Sequence, residues 1–333
     1  MTTEQIRSDR VVLEANLDHW NRERGPRLEQ VIFRNDLTQP EALDLVCNSE
    51  GEVDIVTEVT ADQAQQVLDS EYANLATVDA MRILTGIINR AQTDAPLHDV
   101  RVRRALNLAV DRGKIISEAL KGYAHPMAAL TPPYADGLPS GLEPYAHDPE
   151  AAKKLMQEAG WPEGRPLKLA ASPAFEGIAQ LLADDFRESL GIEVTLKVVP
   201  HEEAQKNERI IIEKVIVPDF DVLVYAWFDL TSDAPPAVLH REFFHSTGAF
   251  RVGPPDDAIE EMFGRFVAQI EPGKLAAVAA EIDQRVYDEA LALFLCAPQA
   301  LYAVNKHVNF QGHAATFELA ETEVDEGHWS RRS

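Results

Sequence analysis

Within one short stretch the chain sets an aromatic pair and two carboxylates, in Tyr225-Ala226-Trp227-Phe228-Asp229-Leu230-Thr231-Ser232-Asp233-Ala234-Pro235. The aromatic and β-branched run that leads into it, from Phe220 to Trp227, reads as a strand. Ligands of open α/β folds sit at the carboxyl ends of strands. Tyr225 and Trp227 would then offer aromatic surface, and Asp229 and Asp233 negative charge, to one bound molecule. Both carboxylates equally suit helix N-caps, and that reading stays open.

Other residues capable of chemistry are less well arranged. His240 and His245 are five apart, which does not align two imidazoles on a helix face, so both are expected as surface or core histidines. Adjacent carboxylates such as Asp184-Asp185 and Asp256-Asp257 diverge on a helix. The chain has no G-x-S-x-G elbow, phosphate-binding loop or G-x-G-x-x-G turn. Cys47 and Cys296 are the only cysteines, too few for a zinc site or a disulfide framework, and both are expected as buried thiols. No catalytic residue, metal site or cofactor is expected.

Composition narrows the partners. The 333 residues carry 31 Lys+Arg against 55 Asp+Glu, a formal charge of -24. Such an excess repels nucleic-acid phosphates and anionic membrane surfaces. No apolar run is long enough to span a membrane, and Met1 to Arg10 lack the apolar stretch of a secretory leader. Read alone, this start predicts a cytoplasmic protein.

The elements that position these residues alternate between strand and helix. Strands are expected at Val11–Leu17, Val31–Phe33, Val53–Val56 and Leu75–Val78, with helices near Thr38 and Ala61 between them. A strand over 81–89 leads to two tandem helices. Val102, Ala105, Leu106 and Ala109 face one way in the first, with Asp99 as its cap. Ile115, Ile116, Ala119 and Leu120 do so in the second, which Asp111 opens and Gly122 ends. Arg101, Arg103 and Arg104 are expected to hold these helices to nearby carboxylates or carbonyls rather than to bind an anion. The connection with Pro126, Pro132, Pro133, Pro139 and Pro144 is expected as a surface wrap or loop. A second α/β pattern follows: helix 148–159, strand 167–170, helix 175–190, strand 192–199, a charged helix from His201, strand 220–227, helices 256–269 and 274–290, and strands 291–295 and 301–304. Trp329 is expected to dock the polar C-terminal tail on the body.

The run Val102-Arg103-Arg104-Ala105-Leu106-Asn107-Leu108-Ala109-Val110-Asp111-Arg112-Gly113-Lys114-Ile115-Ile116 closely resembles the signature helix pair of the family 5 solute-binding proteins of ABC transporters, which include peptide and nickel binders. Gly51-Glu52-Val53-Asp54-Ile55 and His147-Asp148-Pro149-Glu150-Ala151-Ala152-Lys153-Lys154-Leu155 are similar to two further family segments, in the same order. The resemblance implies an α/β, two-lobed, type II periplasmic-binding-protein-like fold that lacks the family's N-terminal strands and inserted small domain. It implies a first lobe of 1–83 plus 297–333 and a second of 84–296. The implied function is non-catalytic binding of a small molecule or peptide in a cleft between lobes that close around it, with Trp227 in the cleft. Tyr225 to Pro235 resembles the family segment in which an Asp pairs with a peptide's ammonium group. Here Asp229 stands two residues after Trp227 where the family has three. Because an incomplete first lobe exposes edges, the alternative is an accessory subunit that forms a homo-oligomer, or joins a companion protein that completes the lobe.

Overall fold

The computed structural model describes residues 9–21, 23, 25–200, 203, 219–228 and 237–332. They form two compact units, Met1–Ala80 with Gln299–Ser333, and Met81–Pro298. The expected divisions at 83/84 and 296/297 would cut through strands; the chain changes unit just outside them.

Unit 2 is built on a six-stranded sheet. Its strands, in the order they pair, are β6 (Ala124–Pro126), β10 (Ala292–Pro298), β5 (Arg82–Ile88), β9 (Val222–Phe228), β7 (Leu167–Ala171) and β8 (Val194–Val198). The last three run parallel, so their carboxyl ends share one edge; the other pairings are antiparallel. Alternation along β9 sends Val222, Val224 and Ala226 into one core, and Leu223, Tyr225 and Trp227 into the other. On the first face pack α3 (Val100–Ala109), α5 (Pro149–Glu158) and α6 (Glu176–Leu190), through Val102, Leu106, Met156, Leu182 and Phe186. On the second pack α7 (Ala237–Phe244), α8 (Asp257–Val267) and α9 (Pro272–Asp288), through Leu239, Phe243, Phe263, Ile282 and Val286. Each large side chain so buried contributes on the order of 1.5–3 kcal/mol.

The tandem helices form with the expected caps. Asp99 accepts from Arg101 N at 2.8 Å, and Asp111 from Lys114 N at 3.0 Å. The second helix, α4 (Arg112–Lys114), widens into a π turn over Ile115–Ala119. Arg103 donates to the carbonyls of Leu97, His98 and Glu289, Arg104 to that of Asp288, and Arg101 to the Asp99 carboxylate and the Glu158 carbonyl. These arginines fasten helices, as expected. Arg112, not anticipated, is more deeply held: its guanidinium donates to the carbonyls of Phe294, Asn107, Val110 and Tyr145 and to Asn107 Oδ1.

One expectation is corrected inside this unit. The proline-containing connection is not a surface wrap throughout, because β6 pairs with β10 and Met127, Ala129 and Leu130 are fully enclosed. A three-residue strand is too short to show alternation. The charged helix expected from His201 lies outside the described residues.

Unit 1 holds a three-stranded antiparallel sheet of β3 (Ile55–Val56), β11 (Ala300–Asn305) and β4 (Ala73–Val78). Helices α1 (Gln39–Asn48) and α2 (Ala64–Leu68) bury Leu43, Val46 and Val67. Beside it are two hairpins, β1 (Arg10–Glu14) with β2 (Gln30–Arg34), and β12 (Val308–Asn309) with β13 (Glu323–Val324). The C-terminal tail docks as expected: Asp54 Oδ1 accepts from Trp329 Nε1 at 2.9 Å and lies 3.0 Å from His328 Nε2. Both cysteines are buried free thiols, and burial pushes Cys296 up to about 12.

Candidate functional site

The carboxyl end of β9 carries an aromatic wall. Tyr225 and Trp227, two residues apart on one face, are half-buried with ring centroids 6.3 Å apart. Two rings that the sequence did not single out complete it. Phe243, buried on α7, stands edge-on to Trp227 at 5.8 Å and to Tyr225 at 6.3 Å. Phe250, in the turn after α7, stands edge-on to Trp227 at 5.3 Å and lies 5.7 Å from Tyr225. Tilted and edge-on contacts of this kind align the positive ring edge with the negative face of its neighbour.

Polar anchors fix α7 and its turn behind the wall. His240 Nε2 lies 2.5 Å from Asp283 Oδ1 on α9, with both side chains fully buried, and that oxygen also accepts from Leu130 N at 3.2 Å. His240 is thus a core histidine. His245 Nε2 is 3.0 Å from Glu260 Oε2 on α8, and Ser246 Oγ donates to the same oxygen at 2.8 Å. Glu242 holds the turn, accepting from Ala249 N at its carboxylate and from Phe250 N at its carbonyl. The other end of β9 is locked by the enclosed Asp221, which accepts from Arg165 at 2.6 and 2.9 Å and from Lys168 N at 2.8 Å.

Such a wall can stack against planar or apolar groups; it carries no nucleophile. Asp229 and Asp233 lie outside the described residues, so the structure brings together only Tyr225 and Trp227 of the four expected site residues. Among the described residues no cluster of His, Cys, Asp and Glu could hold a metal ion, and no helix is long and apolar enough to cross a membrane. A cavity of about 20 Å³ lies behind the wall, lined by Thr85, Ile87, Arg90, Leu130, Phe243 and Phe244. It has room for one water and not for a solute. Burial, chiefly, and nearby arginines push buried Arg90 down to about 10, and its Nη2 has no hydrogen-bond partner among the described residues.

Residues 2–249 match the model of the bacterial extracellular solute-binding proteins, family 5 Middle. The periplasmic oligopeptide-binding protein OppA of Salmonella typhimurium is 30% identical over 200 residues, covering 57% of this chain and 36% of OppA. The substrate-binding protein CtaP of Listeria monocytogenes superimposes with a TM-score of 0.82 at 19% identity, covering 95% of this chain and 64% of CtaP. NikA of Brucella suis, solved with Fe(III)-EDTA, gives 0.78 at 21% identity, covering 97% of this chain and 67% of NikA. The chain thus spans less than two thirds of OppA and of CtaP, and the two structures share its α/β fold.

Proposed function

This chain belongs to the bacterial extracellular solute-binding proteins, family 5, a non-catalytic family, and on that footing we propose that it binds a short peptide or small solute against the wall of Tyr225, Trp227, Phe243 and Phe250. The observation that carries the reading is the aromatic group at the carboxyl end of β9, fastened from behind by buried polar contacts. The name of OppA favours peptide as the first class to try. In this reading Asp229 and Asp233, which follow the wall in sequence, supply negative charge for an ammonium group.

Isothermal titration with a pool of tri- to pentapeptides, and with the same pool N-acetylated, tests it. Binding of the free-amine pool should weaken by about 1–3 kcal/mol in Trp227→Ala, the usual value of a buried aromatic anchor. Acetylation should weaken it too, because it removes the cation. Unchanged affinity in a folded Trp227→Ala would remove the wall from the site.

A second reading, association with a further chain, has its own support. The β1–β2 hairpin exposes apolar side chains on both faces, Val11, Leu13 and Phe33 on one and Val12 and Ile32 on the other. Exposed apolar side chains on a strand pair favour contact with another chain.

A further inference from the structure

We propose that Arg90 holds a small monovalent anion, of the class of chloride, in the cavity behind the aromatic wall. The site goes beyond the solute reading and does not depend on it.

Arg90 lies just past the end of β5. It is only 9% exposed, its Nη2 is fully enclosed, and that nitrogen meets no acceptor among the described residues. Even pushed down to about 10 by burial, the guanidinium stays charged near neutral pH. Taking a cation out of water is costly unless it is paired and hydrogen-bonded, so this one calls for negative charge beside it.

The protein supplies little of that charge. Asp256, the carboxylate that acts on Arg90 through space, is committed elsewhere. Its Oδ1 accepts from Ala258 N and Ile259 N at 3.1 Å as the cap of α8, and its Oδ2 from Arg285 at 3.0 Å. Arg103 on α3 and Arg251 in the turn after α7 add like charge. The Phe244 ring, 5.9 Å from the guanidinium carbon, offers a weaker contact than an anion would.

The turn after α7 also encloses Arg90. Gly253, at φ +115°, lays its backbone against it, and an added Cβ there would fall 2.7 Å from Arg90 Cβ. Beside Arg90, the cavity is lined by Ile87, Leu130, Phe243, Val252 and Leu291, and Thr85 gives its hydroxyl proton to Leu293 O at 2.9 Å. About 20 Å³ admits one particle near the size of water. Phosphate, sulfate and carboxylates are too large, and Arg90 repels cations. A monatomic anion meets both conditions and brings no polar hydrogen that apolar neighbours would leave unsatisfied.

Thermal unfolding and the NMR line width of chloride, with the full chain in sodium chloride or in sodium gluconate at equal ionic strength, test the site. Gluconate is too large to enter. The formal charge of -24 keeps chloride from the surface at large, so a chloride effect reports a specific site. Wild type should broaden the chloride line and melt about 2 °C higher in chloride at about fivefold the dissociation constant that the line width gives. Arg90→Gln should lose both effects, and Arg90→Lys, which keeps the charge, should retain part of each. Val252→Leu, which adds a methylene to the cavity and leaves Arg90 in place, should lose both and serves should Arg90→Gln not fold. Wild type that melts alike in the two salts and leaves the line unbroadened would assign the cavity to water and overturn the proposal. Chloride effects of wild-type size in Arg90→Gln or in Val252→Leu would also overturn it, as a general effect of salt.

Discussion

Trp227 and Arg112 show two ways in which one residue matters. Trp227, half-buried, leaves part of its ring surface open, so its loss should be read in affinity. Arg112 is enclosed, and its donors satisfy four carbonyls and one side-chain amide that join the tandem helices to β10 and to Tyr145. Arg112→Met should cost about 3 kcal/mol or more, since each orphaned buried acceptor costs about 1–3 kcal/mol. A denaturation midpoint checks this, and Arg112→Lys, with fewer donors, should recover only part. Tyr225 and Trp227 were legible because period-two alternation on an apolar strand fixes which residues share a face. Phe243 and Phe250 were not, because their contact with Trp227 depends on α7 folding back, which no local spacing encodes. The buried His240–Asp283 pair that holds α7 there joins residues far apart in the chain. Asp229 and Asp233 remain part of the proposal alone.

At the level of elements, helix caps and close strand packing carry the predictions. Asp99 caps α3, and the Arg101 guanidinium, against the opposing effect of burial, holds its carboxyl below the usual range. A carboxyl lowered in the native state stabilises fully above its ordinary value of about 4, and that stabilisation is lost as pH falls through the lowered native value. Asp99→Ala should therefore cost about 1 kcal/mol near neutral pH. Asp99→Asn should keep the cap while flattening the acid limb of a stability-versus-pH curve. Gly86 sits where three strands crowd: an added Cβ would lie 2.8 Å from Leu293 Cβ and 2.9 Å from Val222 Cγ1. Gly86→Ala should destabilise by about 1–3 kcal/mol, seen as a lower melting temperature. Most elements were legible from apolar periodicity and caps, among them α3, α5, α6 and β9. β6 was not: its few residues include a proline, and what places it is pairing with β10, far along the chain.

For the whole molecule, the alternation of strands and helices and the resemblance of the tandem helices led to one family, which the family model bears out, and to an α/β fold, which the CtaP superposition bears out. Composition contributed less, since a formal charge of -24 weighs against nucleic acid without indicating a ligand. The position of each change of unit was legible only approximately, because one strand follows another closely across each division, β4 then β5 and β10 then β11. Native mass spectrometry of the chain recovered from the organism that encodes it, beside Trp227→Ala recovered identically, tests the central claim most directly. Wild type should carry a reproducible small mass, a peptide or small solute, that Trp227→Ala loses in whole or large part. Wild type with no small mass, or both proteins carrying the same mass at equal occupancy, would contradict binding at the aromatic wall.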